Sequence, residues 1–184
     1  MSTALPRIAF LGIGLMGAPM TRNLLDAGFP MTLWNRTASK CEPFREEAAI
    51  AETPAEAVAD ADVVITMLEN GQVVEDVLVH QGAIGALKAG ALVVDMSSVQ
   101  PSLARELAGL VAERGAGFVD APVSGGTVGA AEARLSIMAG GSEADVERAL
   151  PVFKALAGLV IKFVGNRTMP LLVVGQIPAF KLLA

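Results

Sequence analysis

Tyrosine is missing from this chain, and tryptophan, histidine and cysteine occur once each. A single cysteine, Cys41, excludes a disulfide framework and a zinc knuckle and points to a reducing, cytoplasmic compartment. The one histidine, His80, has no acid or nucleophile motif beside it and reads as a surface residue. No His/Asp/Glu/Cys cluster has metal-ligand spacing, so no metal is expected. Basic runs are absent too: the formal charge is -5, which argues against nucleic acid and against a membrane surface as partner. No uninterrupted apolar run reaches the length of a membrane span. Arg7 followed by "IAFLGIGLMGAPM" has a superficial signal-peptide look, but it holds three ordered glycines and lacks a small-x-small cleavage site. It reads as strand and loop.

What the chain does have is apolar mass: 53% hydrophobic residues and a mean hydropathy of +0.54 over 184 residues. That suits a parallel sheet covered by helices on both faces. A strand–helix rhythm supports it. "RIAFLG" predicts a buried strand, "MGAPMTRNLLDAGF" a helix ending at Gly28, and "MTLWN" a second strand. "TPAEAVADA" begins a helix capped by Thr53, with Pro54 in its first turn and Glu56 three residues on. "DVVITML", "ALVVDMS", "GFVDA", "LSIMAGG" and "IKFVG" predict further strands. Between them lie helices over "QVVEDVLV", over "PSLARELAGLVAERG" with Leu103, Leu107 and Leu110 on one face, and after Ser142 with Asp145 three on. The expected architecture is a doubly wound, mostly parallel α/β sheet of Rossmann type over residues 1–165, followed by an apolar tail, 166–184.

"FLGIGLMG" places Gly12, Gly14 and Gly17 in G-x-G-x-x-G spacing directly after a strand and at the start of a helix. Gly12 makes the turn, Gly14 admits a pyrophosphate to the backbone and Gly17 lets helix and strand pack closely. Gly12, Gly14, Leu15, Met16 and Gly17 are therefore the expected cofactor loop. An NAD site normally carries Asp or Glu at the end of the second strand, to hold the ribose 2′-hydroxyl. This chain has Asn35-Arg36-Thr37 there. A carboxylate would repel a 2′-phosphate, whereas Arg pairs with it, a bond worth about 1.5–3 kcal/mol. NADP(H) is the expected dinucleotide, with NAD(H) as the other possibility.

"DAPVSGGTVGAAEARLSIMAGG", residues 120 to 141, leaves unusually bare backbone at a strand end. Backbone without side chains admits a close ligand, and a nest of N–H groups suits a small carboxylate. Together with "FLGIGLMGAPMTRNLLDAGF", "NRT" and "DMSSVQP", this segment resembles the β-hydroxyacid dehydrogenase family, from residue 7 to about 165. Members of that family include 3-hydroxyisobutyrate dehydrogenases, tartronate semialdehyde reductases and glyoxylate/succinic semialdehyde reductases. The resemblance implies that Met67 and Leu68 lie along the cofactor and that Ser98 sits near the nicotinamide. It also implies that Ser124, Gly125 and Gly126 grip the carboxylate of a small substrate.

The tail departs from that pattern. The family follows the last strand with a long helix that carries a catalytic lysine three residues after a Gln; here the position falls on Val174. The only tail lysine, Lys181, lies five residues after Gln176, and Pro178 interrupts the run at a helix cost of about 3 kcal/mol. The resemblance implies an all-helical C-terminal domain, which is expected to be absent here. Lys181 is the candidate acid, and the apolar tail is expected to drive self-association. Two functions follow as expectations: an NADP(H)-dependent oxidoreductase, or its cofactor half, interconverting small 3-hydroxy acids and semialdehydes; or a catalytically inactive NADP(H)-binding module left by truncation.

Overall fold

A computed structural model describes residues 5–164. The candidate acid Lys181 and the tail from 166 lie outside the described residues. The chain opens with β1 (Ile8–Leu11), α1 (Gly17–Asp26) and β2 (Met31–Trp34). Two 3₁₀ turns, Ala38–Lys40 and Glu42–Phe44, lead to β3 (Ala49–Ile50), α2 (Pro54–Val58) and β4 (Val63–Thr66). Next come α3 (Gly71–Glu75), running into a π turn over Asp76–His80, then α4 (Ala83–Ala86), β5 (Leu92–Asp95) and α5 (Pro101–Glu113). The last described part holds β6 (Gly117–Asp120), β7 (Val123–Ser124), α6 (Gly126–Ala131), β8 (Leu135–Gly141), α7 (Glu143–Leu156) and β9 (Ala157–Val164).

The strands form one sheet in the order β3-β2-β1-β4-β5-β6-β8-β7, with β9 also paired to β8. From β3 to β6 every pairing is parallel. That is the 3-2-1-4-5-6 order of a doubly wound dinucleotide fold, which reverses direction between β1 and β4. β8 runs antiparallel to β6 and to β7, and β9 parallel to β8. The sheet is therefore mostly parallel, as the rhythm of the sequence implied.

Alternation along each central strand divides the core. Ile8, Phe10, Ile65, Leu92 and Val94 face α1 and α7, whose Met20, Leu24, Val152 and Phe153 are buried against them. Ala9, Leu11, Val64 and Val93 face the other way, onto Val58 of α2, Val74 of α3, Ile84 of α4 and Leu107 of α5. Strands buried on both faces need apolar side chains at every position, which explains the unbroken runs. Each fully buried Leu, Ile or Phe contributes about 1.5–3 kcal/mol.

Helix starts follow local chemistry. Thr53 Oγ1 accepts the Glu56 N–H (3.1 Å), while the Glu56 carboxylate reaches back to the Glu52 N–H (2.9 Å), one residue earlier than the reciprocal bond of a capping box. Asn70 caps α3 by accepting the Val73 N–H (3.0 Å), so that helix begins at Gly71 and not at Gln72. Ser142 caps α7 through the Asp145 N–H (3.1 Å). The segment after Ser124, expected as a small-residue loop, is instead the short helix α6. Ala130 and Ala131 favour helix, and Ala130 is buried with the face that holds α1. The strand expected over "IKFVG" begins earlier, at Ala157, where α7 ends directly into β9.

Removing the α7 cap tests this account. Ser142→Ala is expected to cost about 1 kcal/mol, read as a lower urea midpoint with an unchanged denaturant slope.

Candidate functional site

The site grows from one steric fact. A Cβ built on Gly17 would lie 1.9 Å from the Gly12 carbonyl oxygen and 3.2 Å from the Phe10 ring. Only glycine lets α1 begin against the turn that leaves β1. Gly12 itself has φ +110°, and its Cβ would lie 2.3 Å from the Met67 carbonyl. Gly14, by contrast, has nothing within 4 Å of such an atom. The loop is closed on two sides and open on the third, toward solvent and any ligand. No side chain caps α1 and no acid occupies its first turn, so the positive end of the helix dipole is left for an anion.

Asn35 braces this loop by accepting the Ile13 N–H (2.9 Å) and donating to the Thr37 carbonyl (3.0 Å). A cleft of about 290 Å³ opens beside it. Gly12, Gly14, Trp34, Asn35, Arg36, Thr37 and Lys40 form one wall. Met67, Leu68, Glu69, residues of α3 and the π turn (Gln72, Val73, Asp76, Val77) and Gln81 just after it form the other. The structure thus gathers seven of the expected cofactor residues: Gly12, Gly14, Asn35, Arg36, Thr37, Met67 and Leu68. Gly17 lies beneath the loop, Met16 packs partly buried on the core, and Leu15 stands 85% exposed beside the loop. Ser98 is exposed and lines a neighbouring groove with Gln72, which the two cavities share.

Lys40 was not expected here. It was legible only as the residue before Cys41, yet the Ala38–Lys40 turn brings it onto the wall that holds Arg36. Among the described residues neither Arg36 nor Lys40 has a carboxylate partner. The two cations share one wall, with no acid at the end of β2, and the facing wall carries Glu69 and Asp76. Arg45, nearby, is already paired with Glu42 (2.5 Å). Burial pushes the Cys41 thiol up, and the charge of Glu42 adds to the effect.

Ser124, Gly125 and Gly126 are exposed at the far side of the sheet's carboxyl end and do not line this cleft. Gly125 (φ +137°) and Gly126 (φ +61°) hold backbone that other residues rarely adopt, and the space beside Gly126 is open. Lys162 is paired with Glu147, so its ammonium is committed away from the site. His80 is exposed at the end of the π turn. Among the described residues no group of three His, Cys, Asp or Glu side chains could hold a metal ion, and no helix is long and apolar enough to cross a membrane.

A buried polar network lies under these loops. The Thr66 hydroxyl donates to Asp95 Oδ1 (2.7 Å), and so does the Ser97 N–H (3.0 Å). Ser97 Oγ accepts the Leu68 N–H (3.0 Å), tying the cleft wall to the end of β5. Ser98 was the serine singled out from the sequence; its neighbour Ser97, fully buried, is the one that braces the wall. Asp120 stands beside Asp95 in the register of β5 and β6. Burial raises both carboxyls, and the charge of Asp95 adds to the effect at Asp120, which is pushed up to about 7.

Fold order, glycine loop and cleft define a dinucleotide-binding domain of the Rossmann class. The profile described as the NAD binding domain of 6-phosphogluconate dehydrogenase matches residues 7–165, and the chain belongs to that family. It is 38% identical over 189 residues to the NAD-dependent L-serine dehydrogenase of Pseudomonas aeruginosa, covering 96% of this chain and 63% of that protein. Among solved structures, the Mycobacterium tuberculosis 3-hydroxyisobutyrate dehydrogenase with L-serine superposes with a TM-score of 0.81 at 39% identity, covering 86% of this chain and 54% of that one. Psf3 in complex with NADP+ and 2-OPP gives a TM-score of 0.81 at 27% identity, over 86% of this chain and 57% of that one. The chain thus spans between about half and two-thirds of the length of these relatives.

Gly17→Ala forces the Gly12 carbonyl to move, because backbone and not a flexible side chain lies 1.9 Å away. It is expected to lower the urea midpoint and to abolish dinucleotide binding by calorimetry, whereas Gly85→Ala, with open space at its Cβ, leaves both intact.

Proposed function

We propose that this chain is the cofactor-holding part of an NADP(H)-dependent oxidoreductase that interconverts small 3-hydroxy acids and semialdehydes. The observation that carries the reading is the pair of uncommitted cations, Arg36 and Lys40, on a cleft wall that has no carboxylate at the end of β2. A ribose 2′-hydroxyl needs an acceptor at that place; a 2′-phosphate needs cations.

The residues fit such a cofactor. Gly14 and the uncapped start of α1 suit the pyrophosphate, Arg36, Thr37 and Lys40 the 2′-phosphate, and Met67 and Leu68 an apolar flank. Ser98 is assigned to the nicotinamide end. When bound, the cofactor supplies the hydride donor or acceptor. Ser124 holds the substrate carboxylate through its hydroxyl, and Gly125 and Gly126 hold it through backbone N–H groups that no side chain shields. Lys181 remains the candidate to deliver the proton to the alkoxide oxygen. The relatives are named for L-serine and 3-hydroxyisobutyrate, both small hydroxy acids, which supports this substrate class.

The test is a titration of NADPH and NADH followed by Trp34 fluorescence, since Trp34 lines the cleft. NADPH is expected to bind more tightly, and Arg36→Ala to weaken NADPH by about tenfold or more, equivalent to about 1.5–3 kcal/mol, while leaving NADH unchanged. Equal or tighter binding of NADH by the wild type would overturn the 2′-phosphate assignment. With a semialdehyde as substrate, Ser124→Ala is expected to raise KM by about tenfold with the NADPH Kd unchanged. Loss of NADPH binding in that variant would instead place Ser124 on the cofactor.

A further inference from the structure

The C-terminal ends of β5 and β6 carry two acids side by side. Asp95 and Asp120 are register partners on adjacent parallel strands, whose backbones lie about 4.8 Å apart. Register partners in a parallel pair point to the same face of the sheet. Both side chains are buried, Asp95 at 0% and Asp120 at 6% exposure. Among the described residues no group hydrogen-bonds Asp95 Oδ2 or Asp120 Oδ1, and both atoms are shut off from the surface. Ionised carboxylates only accept, so two such neighbours repel and leave both oxygens unmatched. A single proton turns one of the oxygens into a donor and the other into its acceptor, removing both defects at once.

We propose that Asp95 and Asp120 share one proton, and that this carboxyl–carboxylate pair is a positioning element joining the Leu68 wall of the dinucleotide cleft to the loop that leads to Ser124. The hydrogen-bond pattern assigns the two halves. Asp95 Oδ1 receives the Thr66 hydroxyl and the Ser97 N–H, which favour the negative charge on Asp95. Asp120 has no such donor at Oδ1 and holds the proton. The consequence reaches the cleft in two steps: Asp95 orients Ser97, and Ser97 Oγ accepts the Leu68 N–H. On the other side Asp120 begins the five-residue run to Ser124, and the Ala121 N–H donates to the Asp95 carbonyl (2.7 Å). The role in the cleft rests on the proposed dinucleotide function; the shared proton does not.

Other charges do not explain the pair. The charged residues of α5, which packs on β6, are Arg105, Glu106 and Glu113, all on its exposed side. Those of α7, packed on the opposite face of the sheet, include Arg148, paired with Asp145, and Glu147, paired with Lys162. Among the described residues, burial and then the charge of Asp95 raise Asp120, while Thr66 and Ser97 stabilise the charge on Asp95. Because folding raises the Asp120 carboxyl above its unfolded value, the stability it confers is full below the ordinary carboxylate range. That stability is lost as pH rises through about 7.

Infrared spectra of the full chain, with and without carbon-13 aspartate, test the proton directly across the range from about pH 5 to about pH 9. The expected result is a protonated-carboxyl band from aspartate that outlasts the ordinary carboxylates and disappears near pH 7. Asp120→Asn and Asp95→Asn each place an amide donor where the proton sat, so each removes the band. If one variant fails to fold, the other and the wild-type spectrum still decide. Ionisation of every aspartate below about pH 5, or a band that survives either substitution, would overturn the shared proton. For the positioning role, wild-type NADPH affinity is expected to fall several-fold relative to Asp120→Asn as the band is lost. A band whose loss leaves the affinity ratio unchanged would overturn that role alone. A chain that shows the band yet binds no dinucleotide would reject the proposed function and leave the proton pair standing.

Discussion

The first turn of α1 sits directly on the Gly12 carbonyl, and much of the molecule is arranged around that contact. Because two glycines meet there without side chains, the helix enters close under the sheet and its N-terminus points at the turn leaving β1. The contact brings Met67 against Gly12 from β4, so the strand on one side of the reversal in strand order closes the loop from below. Asn35, from the strand on the other side, braces it through the Ile13 N–H. Any side chain at Gly17 would push the Gly12 carbonyl away from α1 at the carboxyl end of β1, where the cleft forms.

Those carboxyl ends also carry a continuous row of side chains. Reading across the register, Trp34, Leu11, Thr66, Asp95 and Asp120 lie side by side. The row passes from aromatic to aliphatic to hydroxyl to carboxyl as it crosses the sheet. Its apolar end borders the wall that holds Arg36 and Lys40; its acidic end underlies the loops of Ser97 and Ser124. A parallel sheet makes such a row possible because all its strands end on the same side, and loops from different βα units then meet over one line.

Much of this was legible in the sequence, for reasons that differ by element. The central strands announced themselves because burial on both faces demands runs such as "VVIT" and "LVVD". The glycine loop was legible because its spacing follows from contacts that any side chain would break. Local capping at Thr53 and Ser142 was readable from residues three apart. What stayed hidden depends on long-range placement. Lys40 joins Arg36 only through a 3₁₀ turn that no periodicity encodes, and α6 replaced the expected loop because the helix preference of Ala130 and Ala131 is reinforced by packing against the α1 face. The Asp95–Asp120 pairing follows from register between strands 25 residues apart in sequence, which "DMSS" and "DAPVS" do not show separately.

Cys41 sits at the junction of the two 3₁₀ turns, 0% exposed, in the core beneath the segment that bears Arg36 and Lys40. Its solitude gives the molecule an internal clock. A thiol reagent can reach the sulfur only when this edge of the sheet opens, by itself or with the whole domain, so the modification rate reports those openings. With one cysteine in the chain the count needs no mutagenesis to isolate it. Any ligand that bridges the Arg36–Lys40 segment to the glycine loop must hold that door shut, and its grip can be read in the slowing of a single chemical event.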